Sequence, residues 1–309
     1  MSQENKVDSR QIAGLLDRQL IAWPLLKNNY ALFEKVQIKK LSVGGVDIIV
    51  QFNPSRIVSA GAKVDAKSIS ERKCFLCPGN LPPEQEAVAF GSDYLVLCNP
   101  FPIFPQHFTV PTRRHVDQSI LGRFEDMLDL TRALNSFTVF YNGPRSGASA
   151  PDHMHFQIVT RQYMPIDHLD ITQLKRIHKG KETELYLLAN YLRNGWVISS
   201  KDKSEALSCF TRLCQKTGTP AGEVEPMMNI FCNYHEGQWI IKVIPRKKHR
   251  PSQYFAEGDD KFLTSPGAAD IGGAFITSRE EDFNKVTPDL LRDIYEQVCF
   301  SNDEILVCL

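Results

Sequence analysis

Residues Tyr141–Gln157, YNGPRSGASAPDHMHFQ, constrain the fold more than any other stretch of the chain. An apolar run from Phe137 to Tyr141 enters this segment. On its far side Met154, Phe156 and Ile158 alternate with His153, His155 and Gln157. Side chains two apart on a strand share a face, so the apolar set belongs to a core and the two histidines and the glutamine project together from the opposite side. The residues between the strands are small. Ser146, Gly147, Ala148 and Ser149 let backbone N–H groups approach and curl around phosphate oxygens. Strand, anion-sized loop and imidazole together suit a nucleophilic histidine aimed at phosphorus. Asn142 stands at the loop entry, and Gln157 can donate to a phosphate oxygen or to the imidazole without adding negative charge. Arg145 would stabilise a pentavalent state. A histidine nitrogen attacks without losing a proton when the correct tautomer is held, and its phosphoramidate product is labile enough to pass the group on.

The rest of the chain narrows the class. With 309 residues there is enough chain for one large domain or two similar halves. A net charge of zero argues against a nucleic-acid partner held by bulk electrostatics, though a small phosphorylated ligand needs only a few placed donors. The N-terminal MSQENKVDSR lacks the apolar stretch of a signal peptide, and no run of about 18 apolar residues suggests a membrane span. A cytoplasmic enzyme is expected. The eight cysteines are scattered except for Cys74 and Cys77, which reads as free thiols plus one metal or redox pair.

Periodicity predicts a helix capped by Ser9 with Ile12, Leu15, Leu16 and Leu20 on one stripe, ended by Pro24. Strands are expected at Leu32–Leu41 and Val46–Phe52, joined at Gly44-Gly45, and at Tyr94–Cys98 and His107–Val110. A loop spans Pro54 to Lys73, and a helix about Val116–Asn135. The second half carries a helical pattern at Glu205–Lys216 and strands at Met228–Asn233 and Gln238–Ile244. Its NIFCNYHEGQWIIKVIP can be laid over residues 138–160, and VIPRKKH over TVPTRRH; either overlay supports only a weak repeat. Thr287 and Pro288 signal the start of a late helix. The fold class is therefore α+β, with antiparallel sheets flanked by helices. Its catalytic half is residues 1–175, and a degenerate second half without the motif is residues 176–309.

The Tyr141–Gln157 segment resembles the active-site signature of the galactose-1-phosphate uridylyltransferase and diadenosine tetraphosphate phosphorylase branch of the histidine-triad superfamily. That resemblance puts the nucleophile on His155, supported by Gln157 and Ser149. The spacing from Ser149 to His153 is one residue longer than in the family pattern. Upstream, QFNPSRIVSAG resembles a segment that cradles the nucleotide and nominates Arg56, and LVLCNPFPIF resembles the base and ribose pocket and nominates Asn99. CFLCPGN is similar to the metal-binding stretch of the uridylyltransferases. The family pattern adds one histidine from a segment like VPTRRH and the first of His-x-His. The implied cofactor is a structural zinc on Cys74, Cys77, His115 and His153.

What the resemblance implies is double displacement: a nucleoside monophosphate passes from a nucleotide sugar or dinucleoside polyphosphate, through His155, to phosphate or a sugar phosphate. SPGAADIGGAFITSREEDF, residues 265–283, resembles the phosphorylase-like group and favours it over a hexose-1-phosphate uridylyltransferase. A hydrolase is disfavoured by Gln157, where the family's hydrolases more often carry a third histidine. A non-catalytic nucleotide-binding module is the remaining alternative. Dimers are frequent in the superfamily, but no residue here specifies one. The basic run Arg246–Arg250 reads as a solvated loop, His107 as packing on the site floor and His235 as structural.

Overall fold

The computed structural model describes residues 7–57 and 66–308. The first six residues and the stretch 58–65, which includes the end of QFNPSRIVSAG, lie outside them. Two helices open the chain, Ser9–Ala22 and Pro24–Phe33. The cap of the first is Asp8 rather than Ser9: its carboxylate accepts from the N–H groups of Arg10 and Gln11, and Gln11 returns a bond to Asp8. Pro24 ends that helix and also begins the next, because proline at the first helical position loses no hydrogen bond. The strand expected at Leu32–Leu41 therefore starts late, as β1 (Gln37–Val43), and turns at Gly44-Gly45 into β2 (Val46–Phe52). The loop expected over Pro54–Lys73 contains a short helix, Ala66–Glu71.

Strands β3 (Ala87–Phe90), β4 (Tyr94–Cys98) and β5 (His107–Pro111) lead to a helix at Phe124–Ala133, shorter than the periodicity predicts. Residues 116–120 are not helical and lie against the catalytic segment instead: Met154 N–H donates to the Val116 carbonyl at 2.7 Å. Then come β6 (Phe137–Asn142), β7 (His155–Thr160), β8 (Lys175–Lys179), β9 (Thr183–Leu188) and β10 (Gly195–Ser200). A helix at Lys203–Thr217 precedes β11 (Met228–His235) and β12 (Gln238–Pro245). β13 (Ala274–Thr277) lies between the short helix Ala268–Ile271 and the helix Pro288–Val298, which Thr287 caps as expected.

Ten strands form one antiparallel sheet in the order β3-β4-β5-β7-β6-β11-β12-β10-β9-β8. β6 pairs with β11 at its centre. From that centre outward, each side runs through its strands in the same chain order. A second sheet, β1-β2-β13, contains the one parallel pairing among the described strands, β13 beside β2. Alternation assigns each face of the large sheet to its own core. Val139, Tyr141, Phe156 and Ile158 pack with the helices 9–22, 124–133 and 203–217. Phe140, Val159, Phe231 and Ile244 pack with the small sheet and the helices 268–271 and 288–298. With both faces covered, β4, β6 and β10 are buried along their full length.

Candidate active site

Four ligand-type side chains from three distant segments meet at the start of β7. Cys74, Cys77, His115 and His153 present donor atoms that all lie within 4.8 Å of one another. Cys74 Sγ is 3.2 Å from His153 Nδ1, Cys77 Sγ is 3.2 Å from His115 Nδ1, and Cys77 Sγ is 3.6 Å from His153 Nδ1. A tetrahedral zinc with ordinary bond lengths sets donor–donor edges of roughly 3.3–3.8 Å. The cluster fits a metal ion. His153 is fully buried, and its other nitrogen lies 2.8 Å from the Thr112 carbonyl oxygen. Donation from that Nε2–H leaves Nδ1 as the lone pair facing the cysteines, as metal-bound histidines are commonly arranged. Asp152 steadies the rim, pairing with Arg72 at 2.7 Å and lying 3.7 Å from His115.

Two residues on, His155 opens β7 and lines a cavity of about 780 Å³ with Gln157; His153, expected on the same strand face, lies before the strand begins and joins the cysteines instead. Sites for small ligands commonly fall in the range of about 300–1,000 Å³. The ring of His155 is 3% exposed, and burial pushes its pKa down to about 4, so it is neutral at physiological pH. Its Nδ1 lies 2.8 Å from the His153 carbonyl oxygen. The Nδ1–H tautomer satisfies that bond and leaves the Nε2 lone pair for the cavity. A neutral imidazole held through Nδ1 in this way can act as a nucleophile through Nε2.

Gln157 lines the same cavity two positions further along the strand. Its Oε1 is 2.7 Å from Nε2 of His107, a fully buried ring that burial drives to about 3. A neutral His107 donating through Nε2 fixes the amide so that the Gln157 NH2 points at the ligand space. His107 also stacks on Phe140 with centroids 6.4 Å apart, so it packs at the site floor as expected and orients Gln157 besides. Arg56, Asn99, Asn142, Gly147 and Ser149 line the cavity too. Arg56 and Asn99 face each other across the Phe101 segment: Arg56 donates to the Phe101 carbonyl at 3.4 Å, and Asn99 Oδ1 accepts from the Phe101 N–H at 2.9 Å.

Two nominated residues stand behind the wall. Arg145 is more than half exposed and pairs with Glu223 at 3.3 Å. Ser146 is fully buried, with its carbonyl accepting from Asn229 Nδ2 at 2.7 Å. Asn142 serves the loop as well as the cavity, since its Oδ1 accepts from the Ala268 N–H at 2.6 Å and from Asn229 at 3.0 Å.

Part of the wall that closes the cavity comes from the far end of the chain, within the 265–283 stretch quoted for its resemblance, although no residue of that stretch was nominated for the site. Gly267, Ala268 and Asp270 form one wall. Asp270 accepts from the N–H groups of Gly267 and Ile276, and burial raises its pKa to about 6. The basic run is not simply a solvated loop. Arg246 is buried, donating to Asn229 and to the Pro266 carbonyl, while His249 and Arg250 line the cavity and both contact Ser265. Exposed Lys247 and Lys248 stand between buried Arg246 and the half-buried His249 and Arg250, so local composition alone could not separate the inward residues from the outward ones.

A His-x-His-x-Gln segment beneath a glycine–serine loop, with four potential metal ligands gathered at its start and one large antiparallel sheet behind it, agrees with the resemblance drawn from the sequence. Similarity to particular proteins follows the same line. A family described as "Domain of unknown function (DUF4922)" matches residues 15–160. Protein APA1 of Saccharomyces cerevisiae is 26% identical over 259 residues, which cover 71% of this chain and 75% of that protein. The structure of yeast Ap4A phosphorylase Apa2 in complex with Ap4A superposes with a TM-score of 0.59 and 17% identity, covering 96% of this chain and 99% of that one. Its complex with AMP gives 0.58 and 18%, covering 94% and 96%. The shared fold spans nearly the whole of both chains.

Proposed function

We propose that the chain is a nucleotidyltransferase of the phosphorylase type, acting on a dinucleoside polyphosphate or nucleotide sugar. The observation that carries this reading is the His155 ring, with Nδ1 hydrogen-bonded to its own backbone segment and Nε2 directed into a cavity walled by Gly147 and Ser149. The relatives add support, since Apa2 was captured with Ap4A and with AMP across an equivalent fold.

In the first step the Nε2 lone pair attacks the α-phosphorus. The bond to the bridging oxygen breaks, and the remaining phosphate departs with that electron pair. In the second, an oxygen of inorganic phosphate or of a sugar phosphate attacks the same phosphorus and the N–P bond breaks, restoring neutral His155. The Gln157 amide, the loop N–H groups and Ser149 hold the equatorial oxygens, while Arg56, Asn99 and Asn142 hold the nucleoside side. Cys74, Cys77, His115 and His153 would hold a zinc ion, which would serve as a structural tether for His153. The His153 carbonyl in turn orients the His155 ring.

The test is incubation with α-labelled dinucleotides and nucleotide sugars, with phosphate or sugar phosphate as acceptor. We expect a nucleoside monophosphate on the peptide containing His155, discharged by phosphate, and no label on His155→Ala. Label retained by that variant would end the proposal. Discharge by hexose 1-phosphate but not by phosphate would favour the uridylyltransferase reading, which CFLCPGN independently suggests. For the metal, elemental analysis is expected to find one zinc per chain, lost in Cys74→Ser together with thermal stability. A zinc-free, fully active wild type would refute it.

A further inference from the structure

Where β6 and β7 approach the loop, their ladder stops. The last pair in register is Phe140 with Gln157, so Asn142 and His155 stand opposite each other without pairing. β6 continues by pairing Asn142 with Asn229 of β11, and β7 by pairing His155 with Pro111 of β5, which has no N–H to donate. The gap is bridged by one side chain. Gln118 is 1% exposed, and its Nε2 donates to the Asn142 carbonyl at 2.8 Å and to the His155 carbonyl at 3.1 Å. Its Oε1 accepts from the His155 N–H at 2.8 Å. A single carboxamide thus takes the place of the missing cross-strand bonds and holds both backbone groups of the proposed nucleophile.

The segment bearing Gln118 is itself pinned from two directions. Its own N–H donates to the Pro151 carbonyl at 3.0 Å, in the loop before His153. Two residues on, the Ile120 N–H donates to Glu225 at 2.6 Å, and the other oxygen of Glu225 accepts from Tyr141 of β6 at 2.9 Å. Gln118 is therefore held on a frame that spans the metal centre, β6 and the second half of the chain.

Resting on the transferase reading above, we infer that Gln118 is a positioning residue for the reaction. Its amide fixes the backbone of His155 so that Nε2 stands in line with the α-phosphorus, without touching substrate. A misplacement of about 1 Å in a reacting group can lower a rate on the order of 100-fold. Because the residue lies outside the cavity wall, substrate affinity does not depend on it.

The experiment is single-turnover labelling of His155 in the zinc-loaded full-length protein, with nucleotide affinity measured alongside. In Gln118→Ala we expect labelling about 100-fold slower, with nucleotide Kd changed by less than about threefold. Gln118→Glu keeps the size and the acceptor for the His155 N–H but loses both donors to carbonyls, and should be comparably slow. Ser119→Ala, which removes a 3.3 Å bond to Glu225 from the same segment, should label at the wild-type rate. The inference is overturned if either Gln118 variant labels normally per folded molecule, or if slowing appears only through weakened binding. A wild type that never labels His155 would instead sink the transferase reading itself.

Discussion

The two sides of the ten-stranded sheet share a strand order and differ most at one connection. Residues 143–154 join β6 to β7 and wrap over the cavity, whereas Glu236-Gly237 alone joins β11 to β12. The face that carries His155 and Gln157 on β7 carries Ile240, Lys242 and Ile244 on β12, and there it is filled. Lys242 is 2% exposed, donates to Asn233 at 2.8 Å and lies 3.6 Å from Asp167. We propose that residues 1–175 and 176–309 are two copies of one plan, of which the second braces the first. A common backbone plan admits a site but does not make one. A long small-residue loop opens one copy, while a tight turn and a buried lysine, paired across the halves with Asp167, seal the other.

The largest effect that can break this comparison is in the sealed half. Lys242→Ala leaves the Asp167 carboxylate buried beside an empty position. Its Oδ2 keeps the Thr138 hydroxyl and Gln162 N–H, but nothing replaces the ammonium. Removing one partner of such a pair lowers stability by about 3–5 kcal/mol. Denaturant unfolding should show a lower midpoint with an unchanged slope, and turnover per folded molecule should remain at the wild-type level. If turnover falls while the midpoint stays, the second half takes part in the chemistry and the division of labour is wrong.

What could be read from the sequence follows the same division. Several strands were legible, among them Val46–Phe52, Tyr94–Cys98 and the pair flanking the catalytic loop. The cluster of Cys74, Cys77, His115 and His153, which the resemblance implied, is brought together by the fold as a group that could hold a metal. β3 and β8 were missed because they are edge strands with exposed or half-exposed patterns that carry little hydrophobic signal; β9, β10 and β13 were not expected either. Pro24 misled because proline both stops one helix and starts another. Gln118, Asp270 and His249 could not be found locally: each matters through contacts made 24 or more positions away or through cavity walls built from the far end of the chain. Arg145 shows the converse, a residue well placed in the motif whose side chain turns to Glu223.

Glycines at the two connections carry the comparison to smaller effects. Gly147 has φ near +100°, and a Cβ there would sit 2.4 Å from the Gly267 Cα, backbone against backbone. Gly147→Ala must therefore strain its own conformation and push the 267–270 wall off the loop. The expected loss is about 2–4 kcal/mol, with turnover reduced at least tenfold by opening of the cavity. Gly237 also has a positive φ, near +78°, following Glu236 at +51°, as a two-residue hairpin turn requires. A Cβ added at Gly237, however, meets nothing within 4 Å. Gly237→Ala should cost only the conformational strain, about 1–2 kcal/mol, and leave turnover unchanged. The pair isolates the loop's role, since both substitutions strain a left-handed residue and only one meets a neighbour. Equal losses of activity in the two variants would mean that the contact between Gly147 and Gly267 does not shape the site, and that the long connection acts through something other than its grip on the far end of the chain.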